Sequence, residues 1–259
     1  MSEEIIFLGS GGGRIVLSTQ IVGTGGFVIK AADYQIWVDP GEGALVRAHN
    51  KVKASDTDIL YVTHHHLDHA NDVNAVIDAM TIGGERKKGV LIGTETVVHG
   101  KDNESPSVSN FYKSFLQEFY PVKPGDKVKI GDLTFEATPT KHDCEANGLK
   151  LHTPTRVIGY TGNTSPFPEL TEFFQNCDVL IVDVLRPGEE RWPTHFCSTD
   201  AVEFFKATKP KLGIISHFGL KALRANPVWE ARDIANKSGV KVFAAREGLK
   251  VDLKSLFVS

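Results

Sequence analysis

Short apolar runs recur along the chain, each bounded by glycine, proline or a polar turn. Near the start "EIIFLG", "GGFVIKA" and "YQIWVDP" are β-rich and punctuated by glycine, so Glu4 to Asp39 predicts a strand meander. From Asp58 the order becomes strand, helix, strand. "DILYV" is short, apolar and β-branched and predicts a buried strand over Asp58 to Thr63, while the spacing of "NDVNAVIDAM" predicts a helix. "SVSNFYKSFLQEF", residues 107–119, reads as a further helix ahead of the paired runs "KVKIGD" and "LTFEATP". In the later half "RVIGYTG", "DVLIVDV", "KLGIISH" and "KVFAA" read as strands. Between them "FPELTEFFQ", "STDAVEFFKAT" and "PVWEARDIANKSG" read as helices. That order predicts an α/β (α+β) class with helices covering the sheets. No fixed-period repeat, heptad or linker interrupts the pattern, so residues 1–259 predict a single domain.

Composition narrows the possibilities. With 259 residues and 41% apolar content the chain can bury a sizeable core. The start "MSEEIIFLGS" lacks a basic segment followed by an apolar stretch, and no apolar run approaches ~20 residues, so neither a signal peptide nor a membrane span is expected. A cytoplasmic location follows. Cys144, Cys177 and Cys197 are odd in number and scattered, which fits a reducing compartment and small buried thiols better than a disulfide framework. The formal net charge is −3 and the basic residues are dispersed, apart from "ERKKG" at Glu85 to Gly89. A nucleic-acid-wrapping protein would carry a basic face. The expected partner is a small anionic substrate, with no strong nucleic-acid surface and no membrane; a homo-oligomer stays open.

Against this background one stretch concentrates chemistry. "LYVTHHHLDHAND", Leu60 to Asp72, places four histidines and two aspartates between the predicted strand and helix. If the chain stays extended through Thr63, His64 and His66 point one way and His65 the other, because strand side chains alternate. Asp68 and His69 follow at the turn. Imidazoles with a carboxylate form a donor set suited to zinc, manganese or iron. Such a loop is incomplete alone, and three other segments end strands with candidate ligands: His142 after "LTFEATPTK", Asn163 after "RVIGYTG" and His217 in "KLGIISHF". The glycines of "LGSGGGR" lack the lysine and hydroxyl of a phosphate loop and predict a tight strand connection, with a place beside a site left open.

Together "VDPG" with Asp39, "THHHLDH", His142, "YTGNTS" and "ISHF" resemble the ordered motifs of the metallo-β-lactamase-fold hydrolases over nearly the whole chain. The resemblance implies a four-layer αββα sandwich holding two divalent ions, zinc above manganese or iron. It implies that His64, His66 and His142 hold one ion and Asp68, His69 and His217 the other, with Asp39 orienting a ligand through hydrogen bonds. "FLGSGGG", "LIVDVLRP" and "THFCSTDAVEFF" are similar to the branch containing ribonuclease Z and related phosphodiesterases. In that branch a histidine placed like His195 lies near the leaving group, with an acidic residue placed like Asp183; here Asp stands where Glu is usual. A transfer-RNA-gripping arm is not expected, as Ser105 to Pro121 is short.

Two ions about 3.5 to 4 Å apart can share a hydroxide nucleophile and stabilise an anionic transition state. The implied activity is a metal-dependent phosphodiesterase, with Asp68 serving the ions and His195 protonating the leaving oxygen. Hydrolysis of a thioester, lactone or amide is the alternative, as is a metal-binding protein with weakened catalysis. Asn163 bears on the last of these. The similar motif supplies a bridging Asp, whereas asparagine offers only a neutral carbonyl.

Overall fold

The computed structural model describes Glu3 to Ser255. By its internal contacts the chain forms two compact units, one comprising residues 1–10, 20–122 and 246–259, the other residues 11–19 and 123–245.

The first unit is built on a seven-stranded sheet. Numbered along the chain, its strands are β1 (Glu4–Phe7), β2 (Phe27–Ala31), β3 (Tyr34–Val38), β4 (Ile59–Val62), β5 (Val90–Gly93), β6 (Glu118–Pro121) and, returning at the end, β15 (Lys250–Asp252). Their order is β15-β1-β2-β3-β4-β5-β6. Pairing is antiparallel from β15 to β3 and parallel from β3 to β6. All four residues of β4 are buried, which is why it reads as a continuous apolar run and not as an alternating one. The helix Val73–Thr81 buries Val73, Val76, Ile77 and Met80, spaced to form one stripe. That stripe joins Trp37, Leu60, Val62 and Leu91 in one core cluster.

A similar plan governs the second unit. Its strands are β7 (Lys127–Ile130), β8 (Leu133–Thr138), β9 (Gly148–His152), β10 (Val157–Tyr160), β11 (Val179–Arg186), β12 (Phe196–Cys197), β13 (Leu212–Ser216) and β14 (Val242–Ala244). The order is β14-β13-β11-β10-β9-β8-β7, with β12 paired to β11. Here β7 to β10 form the antiparallel part and β10, β11, β13 and β14 the parallel part. The helices Ser198–Thr208 and Pro227–Ser238 contribute Phe205, Ala231 and Ile234 to a cluster with Leu180, Val182 and Ile215. Phe205 rides on Gly213, where an added Cβ would stand 2.8 Å from its ring.

The sequence pattern departs from this fold in two places. The opening meander does form through β1, β2 and β3, but a short helix, Arg14–Thr19, lies between the first two strands. The helix expected over residues 107–119 is confined to Asn110–Lys113, capped by the Ser109 hydroxyl. Beyond it Glu118–Pro121 joins β5 as an edge strand. Aromatic side chains suit either state, and Pro121 is tolerated on an edge where its missing N–H is not needed. Among the described residues no helix is long and apolar enough to cross a membrane.

Two measurements follow from this packing. Phe205→Ala is expected to cost about 3–5 kcal/mol, read as a lowered urea midpoint; an unmoved midpoint would show that the cluster contributes little. Cys177 and Cys197 are buried, and burial pushes their thiols up, that of Cys177 to about 12. Contrary to the expectation of three small buried thiols, Cys144 is partly exposed. Native alkylation followed by mass spectrometry should therefore modify Cys144 well before the other two.

Candidate functional site

In the first unit the histidine loop leaves the carboxyl end of β4. Ring centroids of His64 and His66 lie 4.6 Å apart, and those of His64 and His69 4.1 Å apart. His65 reaches Glu104, 3.7 Å from its carboxylate, with its ring centroid 5.3 Å from that of His66; β4 has already ended at Val62. Asp68 and His69 occupy the short helix Leu67–Ala70 and are buried, with Asp68 Oδ2 3.8 Å from His69 Nε2. The "DPG" turn packs close beneath: a Cβ on Gly41 would fall 1.9 Å from the carbonyl oxygen of Asp68.

Asp39 fixes the orientation of this loop. Its Oδ1 accepts from the Thr63 backbone N–H at 2.7 Å. Its Oδ2 accepts from the Thr63 hydroxyl at 2.8 Å and faces His69 Nδ1 at 2.8 Å. A carboxylate can only accept, so His69 carries its proton on Nδ1 and presents Nε2 as a lone pair. The same logic extends one residue further. The Thr63 proton is committed to Asp39, so at the 3.0 Å contact between Thr63 Oγ1 and His64 Nδ1 the imidazole must donate. His64 thus also presents Nε2. This carboxylate charge, second to burial, holds the Tyr61 hydroxyl far above its ordinary value.

The second unit lines up three imidazoles. His142 and His195 have ring centroids 5.2 Å apart, and His195 and His217 are stacked at 5.5 Å. His195, buried, therefore stands between two residues expected to be ligands. His142 Nδ1 donates to the Thr194 carbonyl at 3.4 Å, which directs Nε2 away from the backbone. That Nε2 lies 3.0 Å from Asp143 Oδ1, a contact that ligation would have to part. Asn163 is buried in the turn after β10, and the adjoining residues Thr164 and Ser165 bond to the backbone of Lys141, tying this turn to the His142 segment. Asp183, buried in the middle of β11, accepts from the Tyr160 hydroxyl at 2.8 Å. Across the sheet it is paired with Ser216, the residue before His217.

Two site residues have left-handed backbones without being glycine: Asp39 at φ 50° and His217 at φ 61°. Such conformations cost on the order of 1–3 kcal/mol and survive where surroundings over-determine them. For His217 the surroundings are the glycine run, since Gly12 donates to the Phe218 carbonyl at 3.1 Å. A Cβ on Gly12 would stand 2.3 Å from the His217 ring. The run is thus a cradle for an imidazole and not a phosphate loop.

These donor sets fit a divalent metal. Imidazole Nε2 atoms of fixed tautomer with a buried carboxylate are borderline and hard donors of the kind that hold zinc, manganese or iron. The pairing of a ligand histidine with a carboxylate is the usual outer support of such ions. Thr63, Gly12, Thr194 and Tyr160 carry no sequence signal of their own and emerge only from the fold. Cys144 joins them, its Sγ within 4.8 Å of a ring nitrogen of His142.

Residues 34–218 match the family described as the Beta-lactamase superfamily domain, and the chain belongs to that family. Uncharacterized protein MJ1374 of Methanocaldococcus jannaschii is 41% identical over 98% of this chain and 96% of its own length. Ribonuclease Z of Methanopyrus kandleri is 27% identical over 60% of this chain and 52% of its own. The solved structure of the metallo-β-lactamase fold protein YhfI from Bacillus subtilis superposes with a TM-score of 0.80 at 18% identity, covering 96% of this chain and 98% of that one. The fold class expected from the sequence, α/β of the metallo-β-lactamase type, is therefore the fold of this protein.

Asp39→Asn should weaken metal binding by about 10–100-fold, because an amide nitrogen facing His69 or Thr63 breaks the donor order; chelator competition reads this directly. Gly12→Ala should lower metal content while leaving the circular dichroism spectrum intact. Full metal retention in both variants would remove Asp39 and Gly12 from the supporting structure.

Proposed function

We propose that the protein is a metal-dependent hydrolase of phosphodiesters, acting on a small anionic substrate. The observation that carries this reading is the row His142, His195, His217, which sets an imidazole with no ligand role of its own beside two residues of the ligand motif. Likeness to a ribonuclease Z, a protein whose name denotes cleavage of RNA, supports the phosphodiester in particular. On the family's ordered motifs His64, His66 and His142 would hold one divalent ion and Asp68, His69 and His217 a second, with zinc the first candidate. Ions bound there supply Lewis-acid polarisation and activate water.

The chain's own residues do the rest. Asp39 holds two ligand imidazoles in the tautomer that presents Nε2. His195 Nδ1 meets the Thr194 hydroxyl at 3.0 Å; where it accepts that proton, the imidazole carries its own on Nε2, the proton it would give to the departing oxygen. Asp183, bonded to Tyr160 and paired in register with Ser216, would position the segment that carries His217. Dispersed surface charge and a net −3 favour a small substrate over a wrapped polynucleotide, and the scattered cysteines favour a cytoplasmic setting.

Asn163 favours a second reading, a metal-binding protein with weakened catalysis. A buried amide supplies no negative charge where the family's motif supplies a carboxylate, so a two-ion site keeps one more unit of positive charge. That excess loosens the second ion or attracts an anion.

Three measurements test these readings. Assays with bis-p-nitrophenyl phosphate, a thioester and a lactone should give turnover on the phosphodiester; turnover confined to either of the others would replace the assignment. His195→Ala should lose more rate on poor leaving groups than on p-nitrophenolate, which needs no proton, and equal loss on both would end the acid role. Asn163→Asp should tighten the second metal and raise hydrolysis about tenfold, equivalent to ~1.4 kcal/mol in the barrier. Unchanged stoichiometry and rate would show that position 163 has no part in binding.

A further inference from the structure

Beside His195 the second unit opens into a cavity of about 500 Å³. Its walls are Ser165, Pro166, Arg191, Trp192, Pro193 and His195, with Asp200 at the base. The size falls in the range of small-ligand sites. Its chemistry is uneven: one large aromatic face, one cation and the proposed acid.

Trp192 is 47% exposed, unusual for a residue whose indole gains from burial. It is nevertheless held in place. The Arg186 guanidinium lies 4.7 Å from the ring centroid, and Arg186 is steadied by Glu190, itself bonded to Lys221 at 2.6 Å. The tight turn Trp192–His195 closes with the His195 N–H donating to the Trp192 carbonyl at 3.3 Å, so the backbones that carry indole and imidazole are tied together. Arg191 is likewise anchored. Its Nε donates to Asp200 Oδ1 at 3.2 Å, and Asp200 is buried, its other oxygen accepting from the Cys197 N–H and thiol. Only the Arg191 ε N–H is committed there, the side chain is 75% exposed, and Arg191 lines the cavity with its remaining N–H donors available.

A braced, half-bare indole beside an oriented guanidinium is the equipment for a flat heterocycle carrying hydrogen-bond acceptors. Aromatic side chains stack on nucleobases, and the guanidinium meets ring or phosphate oxygens. We infer that this cavity is a nucleobase subsite, in which the base of a nucleotide ester stacks on Trp192 while Arg191 bonds its acceptors and the ester reaches His195. The choice of a nucleotide rests on the phosphodiester reading above.

The test is equilibrium binding by calorimetry, with adenosine 5′-monophosphate and ribose 5-phosphate as probes that share the sugar phosphate and differ in the base. The parent protein should bind the nucleotide about tenfold or more tightly than the sugar phosphate. Trp192→Ala should erase that preference, Trp192→Phe should keep most of it, and neither should alter affinity for ribose 5-phosphate. Equal binding of both probes by the parent, no binding of either, or a preference that survives Trp192→Ala would overturn the subsite. Turnover of bis-p-nitrophenyl phosphate is measured in parallel on the parent. Its absence together with an intact, Trp192-dependent base preference would sink the hydrolase reading and leave the base subsite standing.

Discussion

One buried carboxylate organises the ligand loop of the first unit. Asp39 receives a backbone N–H, a hydroxyl and an imidazole N–H, all at 2.7–2.8 Å. Because it can only accept, it dictates where the hydroxyl and imidazole protons sit, and through Thr63 it dictates a third on His64. Burial makes the arrangement stringent. In a low-dielectric interior an unanswered donor or acceptor costs about 1–3 kcal/mol, so the alternative tautomers are disfavoured together and not one at a time.

The two units place their chemistry by the same rule. Each sheet runs antiparallel for part of its width and parallel for the rest, and Asp39, the histidine loop, Asn163 and His217 all leave the carboxyl ends of strands in the parallel part. Those ends are where loops gather in open α/β sheets and where ligands bind. The outermost strands are built differently. β7 carries lysines at its exposed positions and β6 ends in proline, features that discourage a second sheet from adding to the edge.

Much of this was legible before any coordinates. The run from His64 to His69 announced itself by density, while the expected alternation carried only so far, since β4 ends at Val62 and the His65 ring still meets that of His66. β4, β11 and β13 were visible as apolar runs, while Asp183 was singled out only through the resemblance of "LIVDVLRP" to the ribonuclease Z branch. What the sequence could not disclose were contacts between residues far apart along the chain. Thr63 looks like the end of a strand until its hydroxyl is seen between Asp39 and His64. Gly12 looks like a turn residue until His217 is found against it. Aromatic periodicity misled at Phe119, where backbone pairing to β5 outweighed a weak helical pattern. Trp192 gave no signal because a single tryptophan in a loop carries no pattern; its meaning lies in what braces it.

The left-handed backbones at Asp39 and His217 have a bearing on what each position can accept. At both positions glycine would relieve torsional strain, yet at Asp39 it would also strand the buried Thr63 and His69 donors that the carboxylate answers. Torsional strain and hydrogen bonding are therefore coupled at Asp39: the contacts that hold its backbone left-handed are the same ones that set the proton positions of the ligand loop, so neither can be relaxed without the other.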